Sequence, residues 1–178
     1  MMGGITVSNG IEVRAAEEDD AASLVTLFET LDREARFMLF SPGERTLTHA
    51  QQRELIRELH ESKTRALFVA NDLAQPTIVG FAGITRLGPQ RRAHIAQVVV
   101  GVLSGYRRRG IASRLLDELA RWARASDLAK LELTVAVPNT PAVALYRAKG
   151  YQVEGTRKAA LRIDPELVDE YYMALSLG

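Results

Sequence analysis

A segment in the middle of the chain combines glycines with a run of positive charge. After the valine-rich stretch Ala93–Val102, the sequence reads Leu-Ser-Gly-Tyr-Arg-Arg-Arg-Gly-Ile-Ala over residues 103–112. We predict that a helix begins at Ile111, and the first N–H groups of a helix lack internal partners and carry partial positive charge. Gly110 lets a ligand approach the backbone closely, and Arg107–Arg109 add full charges for phosphate oxygens. The segment therefore predicts an anion-binding loop that fits a diphosphate.

The same residue types also fit a simpler role for this loop. Lys and Arg together number 23, so a solvated basic loop that caps a helix is the alternative. The mononucleotide P-loop is excluded because no Gly-Lys-Ser/Thr follows the glycines, and the Gly-x-Gly-x-x-Gly fingerprint of dinucleotide folds is missing as well.

The elements that must position this loop can be read from hydrophobic periodicity and turn residues. Apolar residues at helical spacing follow an acidic run at Glu17–Asp20, and Thr48 with Gln51 has capping-box spacing before a second helix that ends near Glu61. The remaining predicted elements are strands Ile11–Arg14, Ala66–Ala70, Thr77–Arg86, Ala93–Val102, Lys130–Val137, Gln152–Arg162 and about 166–177, and helices Ile111–Ser126 and 140–149. The resulting order, β-α-α-β-β-β-α-β-α-β-β, predicts an α+β domain rather than a doubly wound sheet.

Composition narrows the function classes. The chain has 178 residues, 47% of them apolar, a net charge of +1 and no cysteine. The cysteine count excludes a disulfide framework, a cysteine-based zinc site and a cysteine nucleophile, and the charge gives no ground for nucleic-acid binding. Without a signal peptide or an apolar stretch of ~20 residues, we expect a cytoplasmic protein with no membrane and no nucleic-acid partner. Residues 1–10 are expected to be a flexible tail and residues 11–178 a single domain.

Two motifs together resemble the GNAT (Gcn5-related N-acetyltransferase) superfamily. Arg107-Arg108-Arg109-Gly110-Ile111-Ala112 is similar to the family signature Arg/Gln-x-x-Gly-x-Gly/Ala. Downstream, Asn139, Ala142, Leu145-Tyr146 and Gly150-Tyr151 match the family pattern N-x-x-A-x-x-L-Y-x-x-x-G-F/Y. The resemblance covers most of residues 11–177. It implies a mixed, largely antiparallel central sheet of about seven strands flanked by about four helices, with a splayed central strand pair.

For the donor, the resemblance implies acetyl-CoA as co-substrate and no metal. The pantetheine arm would lie beside Val98, Val100 and Val102, and the backbone groups of Val100 and Val102 would pair with its amides. Amides of the loop would hold the pyrophosphate. Arg107 would support that loop. The cofactor-binding residues implied in this way are Val100, Val102, Arg107, Arg108, Arg109, Gly110, Ile111, Ala112 and Asn139.

For catalysis, the resemblance makes Tyr146 the general acid that protonates the departing thiolate. From helix spacing alone, Tyr146 would be a half-buried aromatic residue, and the valine strand would simply be core. An amine acceptor must lose a proton before it attacks, so a base is expected. The candidates are His94 or Gln97 on the central strand, Glu34 after the first helix, or water held by backbone carbonyls.

The resemblance thus implies transfer of an acetyl group to a primary amine, on a small molecule or a protein N-terminus, by direct attack in a ternary complex. A donor larger than acetyl stays open. The alternatives are a non-catalytic acyl-CoA-binding or sensing module and a protein-interaction domain without a cofactor. Family members are often dimers, so a homodimer is one possibility, and the sequence leaves the oligomeric state open. Residues 33–47 and 154–170 are expected to wall the acceptor pocket, although core packing is the favoured role of the apolar run Phe37–Phe40.

Overall fold

The computed structural model describes residues 6–178. Within this range eight strands form a mixed sheet in the order β1-β2-β3-β4-β5-β6-β8-β7, in which β5 and β6 are parallel and every other neighbouring pair is antiparallel. The expected α+β class is confirmed. The elements are β1 (Thr6–Ser8), β2 (Ile11–Ala15), α1 (Ala21–Glu34), α2 (His49–Glu61), β3 (Arg65–Asp72), β4 (Thr77–Arg86), β5 (Ile95–Val102), α3 (Ile111–Ala125), β6 (Lys130–Ala136), α4 (Thr140–Ala148), β7 (Gln152–Ile163) and β8 (Glu166–Ser176).

The strand beyond the expected seven is β1, which lies inside the segment predicted to be a flexible tail. Thr6–Ser8 pairs antiparallel with β2 through a two-residue turn at Asn9 and Gly10, both with positive φ. Asn-Gly is a strong hairpin signal, but a strand with Val7 as its single apolar residue gives little periodicity to read. The tail prediction is therefore wrong for residues 6–10, and residues 1–5 lie outside the described residues.

The acidic run Glu17–Asp20 lies directly before the first helix. Glu18–Asp20 forms a 3-10 turn, and α1 begins at Ala21. The carboxylate of Asp20 is buried and accepts two hydrogen bonds from the guanidinium of Arg14, at 2.6 and 2.9 Å. This ion pair ties the start of α1 to β2, so Asp20 anchors the helix to the sheet.

Each face of the sheet has its own apolar core. On one face, α3 and α4 contribute Leu115, Leu119 and Tyr146 to a cluster with strand residues such as Val98 and Leu133. On the other face, α1 and α2 pack on β3 and β4 through a second cluster that includes Leu24, Leu31, Ile56, Val69 and Phe81. The predicted capping box of α2 is confirmed, since Thr48 Oγ1 accepts from the N–H of Gln51 at 3.2 Å.

Helices α1 and α2 cover only part of the sheet face on which they pack. Residues of β6, β7 and β8 on that side lie beyond α1 and α2, and we call this region the open face, defined by Glu132, Thr134, Gly155, Glu170 and Tyr172. No helix among residues 6–178 is long and apolar enough to cross a membrane.

Close packing between α1 and the central strand yields a stability prediction. A Cβ placed on Gly101 would lie 2.7 Å from Cε1 of Phe81 and 2.9 Å from Cδ1 of Leu31, and both of these side chains are buried. We expect Gly101→Ala to destabilise the fold by about 1–3 kcal/mol through overpacking. The melting temperature should fall by roughly 2–4 °C per kcal/mol.

The matched control is Gly105→Ala, because a Cβ at Gly105 meets no atom within 4 Å. Thermal unfolding followed by circular dichroism compares the two variants with the parent. Equal melting temperatures for Gly101→Ala and Gly105→Ala would contradict the proposed steric constraint.

Candidate active site

The central parallel strands separate partway along their length. β5 and β6 pair at only three positions, Ile95↔Lys130, Ala96↔Leu131 and Gln97↔Glu132, whereas β5 stays paired with β4 as far as Val102↔Gly80. From Val98 onward, alternate backbone groups of β5 therefore face a gap rather than a partner strand. Buried backbone groups need hydrogen-bond partners, so an extended ligand with amide groups can pair there as a strand does. The expected splay is confirmed.

At the end of the gap, the backbone turns sharply into α3. Gly110 lies at the N-terminal cap of α3 with φ of 75°, and Arg108 also has a positive φ, of 62°. A Cβ on Gly110 would meet no atom within 4 Å, so the backbone conformation and not crowding favours glycine there. The N–H groups of the first turn of α3 have no partner inside the helix, and Ile111 anchors that turn in the core.

Side chains from distant elements fix this loop. Glu34, at the end of α1, accepts hydrogen bonds from the N–H of Ser104 at 2.5 Å and from its hydroxyl at 2.8 Å. Arg107 donates to the carbonyl of Val102 at 3.3 Å, and its Nη2 lies 3.8 Å from the Glu34 carboxylate. Arg107 therefore lies between the end of β5 and the end of α1, in contact with both.

A second contact that fixes the loop, which the sequence did not suggest, involves Tyr106. Its hydroxyl donates to Asp72 at the end of β3, at 2.8 Å, and this hydrogen bond lowers the pKa of Asp72. The guanidinium of Arg109 lies over the Tyr106 ring, 4.9 Å from its centroid. Arg108 is exposed at the loop surface, where its charge can reach a phosphate.

Tyr146 lies on the buried side of α4, in the same apolar cluster as Val98 of the gap. Burial raises the pKa of its hydroxyl to about 12, so the group stays protonated as a hydrogen-bond donor at neutral pH. The neighbouring Tyr151 ring is 5.8 Å away and tilted by 59°. Asn139 precedes α4 and makes no side-chain cap with it, so its amide can serve another partner.

His94 and Glu34, two of the three side-chain candidates for the base, lie in different parts of the fold. His94 lies in a turn before β5, which begins at Ile95 and not at Ala93, and its carbonyl accepts from the N–H groups of Ala129 and Lys130. At ~3.3 Å per residue, this places His94 roughly 20 Å along the strand from Val100, at the paired end. The Glu34 carboxylate is occupied by Ser104. A base role for either residue stays a prediction that this geometry does not favour.

A polar cluster that the sequence did not reveal lies where the strands diverge. Glu132 is buried at the last β5–β6 pair and accepts a hydrogen bond from the hydroxyl of Tyr172 on β8. Lys130 Nζ lies 3.1 Å and Arg92 Nη2 3.5 Å from the same carboxylate. Gln97, named as a candidate, pairs with Glu132 in the backbone register. The sequence signal that could have revealed this cluster is the charged Glu132 within the strand sequence Lys-Leu-Glu-Leu-Thr-Val.

The two segments expected to wall an acceptor pocket, residues 33–47 and 154–170, approach each other. Arg36, after α1, lies 3.6 Å from Glu166 at the start of β8. Within the run Phe37–Phe40, Met38 packs on the α1–α2 core, but Leu39 is 74% exposed and Phe40 is 40% exposed. The favoured expectation of plain core packing is therefore wrong for Leu39 and Phe40.

No group of three or more His, Asp or Glu side chains within residues 6–178 is placed to hold a metal ion. The gap and the loop, by contrast, fit an acyl-CoA. The unpaired edge of β5 suits an arm that carries amides, and the Arg108–Ala112 backbone with its arginines suits a diphosphate. The residues named for the cofactor, Val100, Val102, Arg107, Arg108, Arg109, Gly110, Ile111, Ala112 and Asn139, lie along the gap, the loop and the start of α4.

Comparison with known proteins agrees with this geometry. The chain is 40% identical over 102 residues to the L-amino acid N-acetyltransferase AaaT of Escherichia coli, a match that spans 54% of this chain and 60% of AaaT. It is 38% identical over 102 residues to the N-alpha-acetyltransferase RimI of Mycobacterium tuberculosis, across 57% of this chain and 61% of RimI. The matches therefore span about three fifths of these relatives.

Solved structures share the fold over nearly the whole chain. A GNAT-family acetyltransferase from Streptococcus pneumoniae superposes with a TM-score of 0.88 at 28% identity, covering 94% of this chain and 99% of the other. YncA from Salmonella typhimurium, solved with its cofactor acetyl-CoA, has a TM-score of 0.82 at 15% identity, covering 98% and 95%. The sequence profile described as Acetyltransferase (GNAT) family matches residues 26–151. With a profile match over most of its length, the chain belongs to the GNAT acetyltransferase family.

Proposed function

We propose that this protein is an N-acetyltransferase that transfers the acetyl group of acetyl-CoA to a primary amine. The observation that carries the proposal is the β5–β6 gap opening directly onto the Arg107–Ala112 loop. The names of AaaT and RimI as N-acetyltransferases support the activity, and the acetyl-CoA in the YncA structure supports the donor.

The donor is held mainly by backbone. The unpaired edge of β5 at Val98–Val102 binds the pantetheine amides, and a backbone N–H of that edge polarises the thioester carbonyl. The amides of Arg108–Ala112 bind the pyrophosphate, with Arg108 adding charge from the exposed side. Asn139 contributes its amide beside the gap.

Transfer proceeds by direct attack within a ternary complex. The chain has no cysteine to carry the acetyl group, and Tyr146 is placed on the helical side of the gap to donate its proton to the departing sulfur. The amine approaches from the open face, because α3 and α4 close the other side.

We infer that the acceptor is an amino acid or a peptide with a free α-amine. Leu39, Phe40 and Val99 expose apolar side chains, which suits an apolar group next to the amine. A non-catalytic acyl-CoA sensor is the second candidate; it would keep the loop but would not need Tyr146. The single domain over residues 11–178, the homodimer, the cytoplasmic location and the absence of a metal, membrane or nucleic-acid partner stay predictions.

Donor binding can be measured as thermal stabilisation. Acetyl-CoA at about 100 times its dissociation constant should stabilise the fold by ~2.7 kcal/mol, which is roughly 5–11 °C for a chain of this length. Arg108→Glu should reduce this shift, because it places a negative charge beside the pyrophosphate site while leaving the buried core untouched.

Arg124→Glu is the control, since it makes the same charge change on an exposed residue at the far end of α3. AMP and free CoA serve as comparison ligands. If acetyl-CoA at millimolar concentration shifts neither the parent nor the variants, the loop is not a donor site and the proposal fails.

The role of Tyr146 is tested by Tyr146→Phe. The variant keeps the ring in its apolar cluster but removes the donor hydroxyl, so kcat should fall by about 10²-fold or more while the acetyl-CoA thermal shift persists. Thiol release with L-phenylalanine, L-methionine and an alanyl peptide as acceptors measures turnover. Unchanged kcat in the variant would exclude the acid role, and acetyl-CoA binding without turnover of any amine by the parent would favour the sensor.

Glu34→Gln separates a structural role from a base role. Since Glu34 holds Ser104 and neighbours Arg107, its loss should loosen the loop. We expect KM for acetyl-CoA to rise several-fold, with a smaller effect on kcat. Steady-state kinetics with varied acetyl-CoA measure both constants. A collapse of kcat at unchanged KM would instead make Glu34 the base.

A further inference from the structure

The polar cluster at the apex of the gap has no part in holding the donor. Glu132 is 4% exposed, and a buried carboxylate is costly unless it is paired and hydrogen-bonded. Its partners are Lys130 and Arg92 on one side and the hydroxyl of Tyr172 on the other. A neutral or apolar residue would fill the same strand position without this cost, so the cluster calls for a functional role.

The register places Tyr172 beside the part of β6 that has left β5. Tyr172 pairs with Thr134, two residues beyond the last β5–β6 pair at Glu132. Its hydroxyl points back to the Glu132 carboxylate. The phenol oxygen therefore lies at the apex of the gap, on the open face.

Space for that acceptor exists next to Tyr172. Its partner across the β7–β8 ladder is Gly155, and a Cβ on Gly155 would meet no atom within 4 Å. Tyr172 itself is half-buried, and Thr134 on its other side is also half-buried. Tyr172 is therefore partly accessible from the open face, whereas Glu132, to which its hydroxyl points, is buried.

The surroundings of this pair favour an ionised Glu132 carboxylate and a neutral Tyr172 hydroxyl. Burial alone would raise the pKa of Glu132, but hydrogen bonds from Tyr172 and Lys130 and the charge of Arg92 outweigh it and lower the pKa. Burial and the hydrogen bond to Glu132 raise the pKa of Tyr172. The charged groups that face this pair are Lys130, which also binds Glu154 of β7 at 2.7 Å, and Arg92 of the turn before β5.

We propose that Tyr172 and Glu132 form the proton relay that deprotonates the acceptor amine. The ammonium gives one proton to the Tyr172 oxygen while the Tyr172 hydroxyl proton passes to the Glu132 carboxylate, which leaves a neutral amine and a protonated Glu132. The amine then forms the N–C bond as the C–S bond breaks, and the sulfur takes the Tyr146 proton. Glu132 returns its proton through Tyr172 to water, and the second amine proton restores Tyr146. Tyr172 is the catalytic residue that touches the substrate, and Glu132 is the positioning residue behind it.

This inference rests on the proposed transferase function, and Tyr172→Phe tests it with whichever of L-phenylalanine or the alanyl peptide the parent acetylates. The variant keeps the ring but loses the relay, so kcat/KM for the amine should fall by about tenfold at pH 7, where only about a tenth of an α-amine of pKa ~8 is neutral, with the acetyl-CoA thermal shift unchanged. The deficit should then shrink by about tenfold per pH unit toward the pKa of the amine, ~8 for an α-amine, because the variant depends on amine that is already neutral.

Glu132→Gln should show the same loss and the same pH trend, since an amide accepts the Tyr172 hydrogen bond but not its proton. Its matched control is Glu118→Gln: Glu118 is also buried, accepts from the Thr6 hydroxyl at 2.9 Å and pairs with Arg121 at 2.5 Å, but lies on α3 away from the open face. Glu118→Gln should keep the parent's pH profile.

The relay is overturned if Tyr172→Phe retains the parent's kcat/KM, or if its loss is the same at every pH, as a purely structural role would give. It is also overturned if Glu118→Gln reproduces the effect of Glu132→Gln. A parent that acetylates neither probe would instead refute the proposed function itself, and the relay with it.

Discussion

The loss of backbone pairing between β5 and β6 after Gln97 and Glu132 is the constraint around which the site is arranged. Two parallel strands that begin paired would normally continue so, because buried N–H and C=O groups need partners. Here each strand is held on its outer edge, β5 by β4 as far as Val102 and β6 by β8 as far as Ala136. Closing the gap would break one of these outer ladders, so the unpaired edge stays available to a ligand.

The position of the anion-binding loop follows from the same constraint. The loop leaves β5 after Val102 and enters α3 at Ile111, and at the last step before the helix Gly110 takes the left-handed conformation that glycine adopts most readily. Glu34 and Tyr106 then tie the loop to the end of α1 and to Asp72 at the end of β3. These contacts hold the free N–H groups of α3 at the end of the gap, where a diphosphate continues from an arm bound along β5.

Structural features that depend only on neighbouring residues, such as helix caps and helix starts, could be predicted from the sequence. Thr48 and Gln51 cap α2 as their spacing indicated, and Gly110 starts α3 where the motif placed it. Errors arose where a distant partner decides the outcome. His94 was expected on a strand but lies in a turn, where its carbonyl accepts from the N–H of Ala129, and the Arg14 partner of Asp20 lies on β2. Neither partner can be identified from the neighbouring sequence alone.

Dependence on distant partners is also why the proposed donor half of the site has a sequence motif and the proposed acceptor half has none. Backbone recognition needs glycine, small residues and a helix start in one continuous segment, and such a segment is visible as a motif. The acceptor side is built from side chains of β6 and β8, where Tyr172 meets Glu132 across 40 residues of chain. That contact exists only because β8 pairs with β6 in one register; a slip of one residue would turn the Tyr172 side chain to the helical face. The chemistry at the open face is therefore a property of strand register, and substitutions that shift the β6–β8 ladder should change the acceptor side while leaving the loop intact.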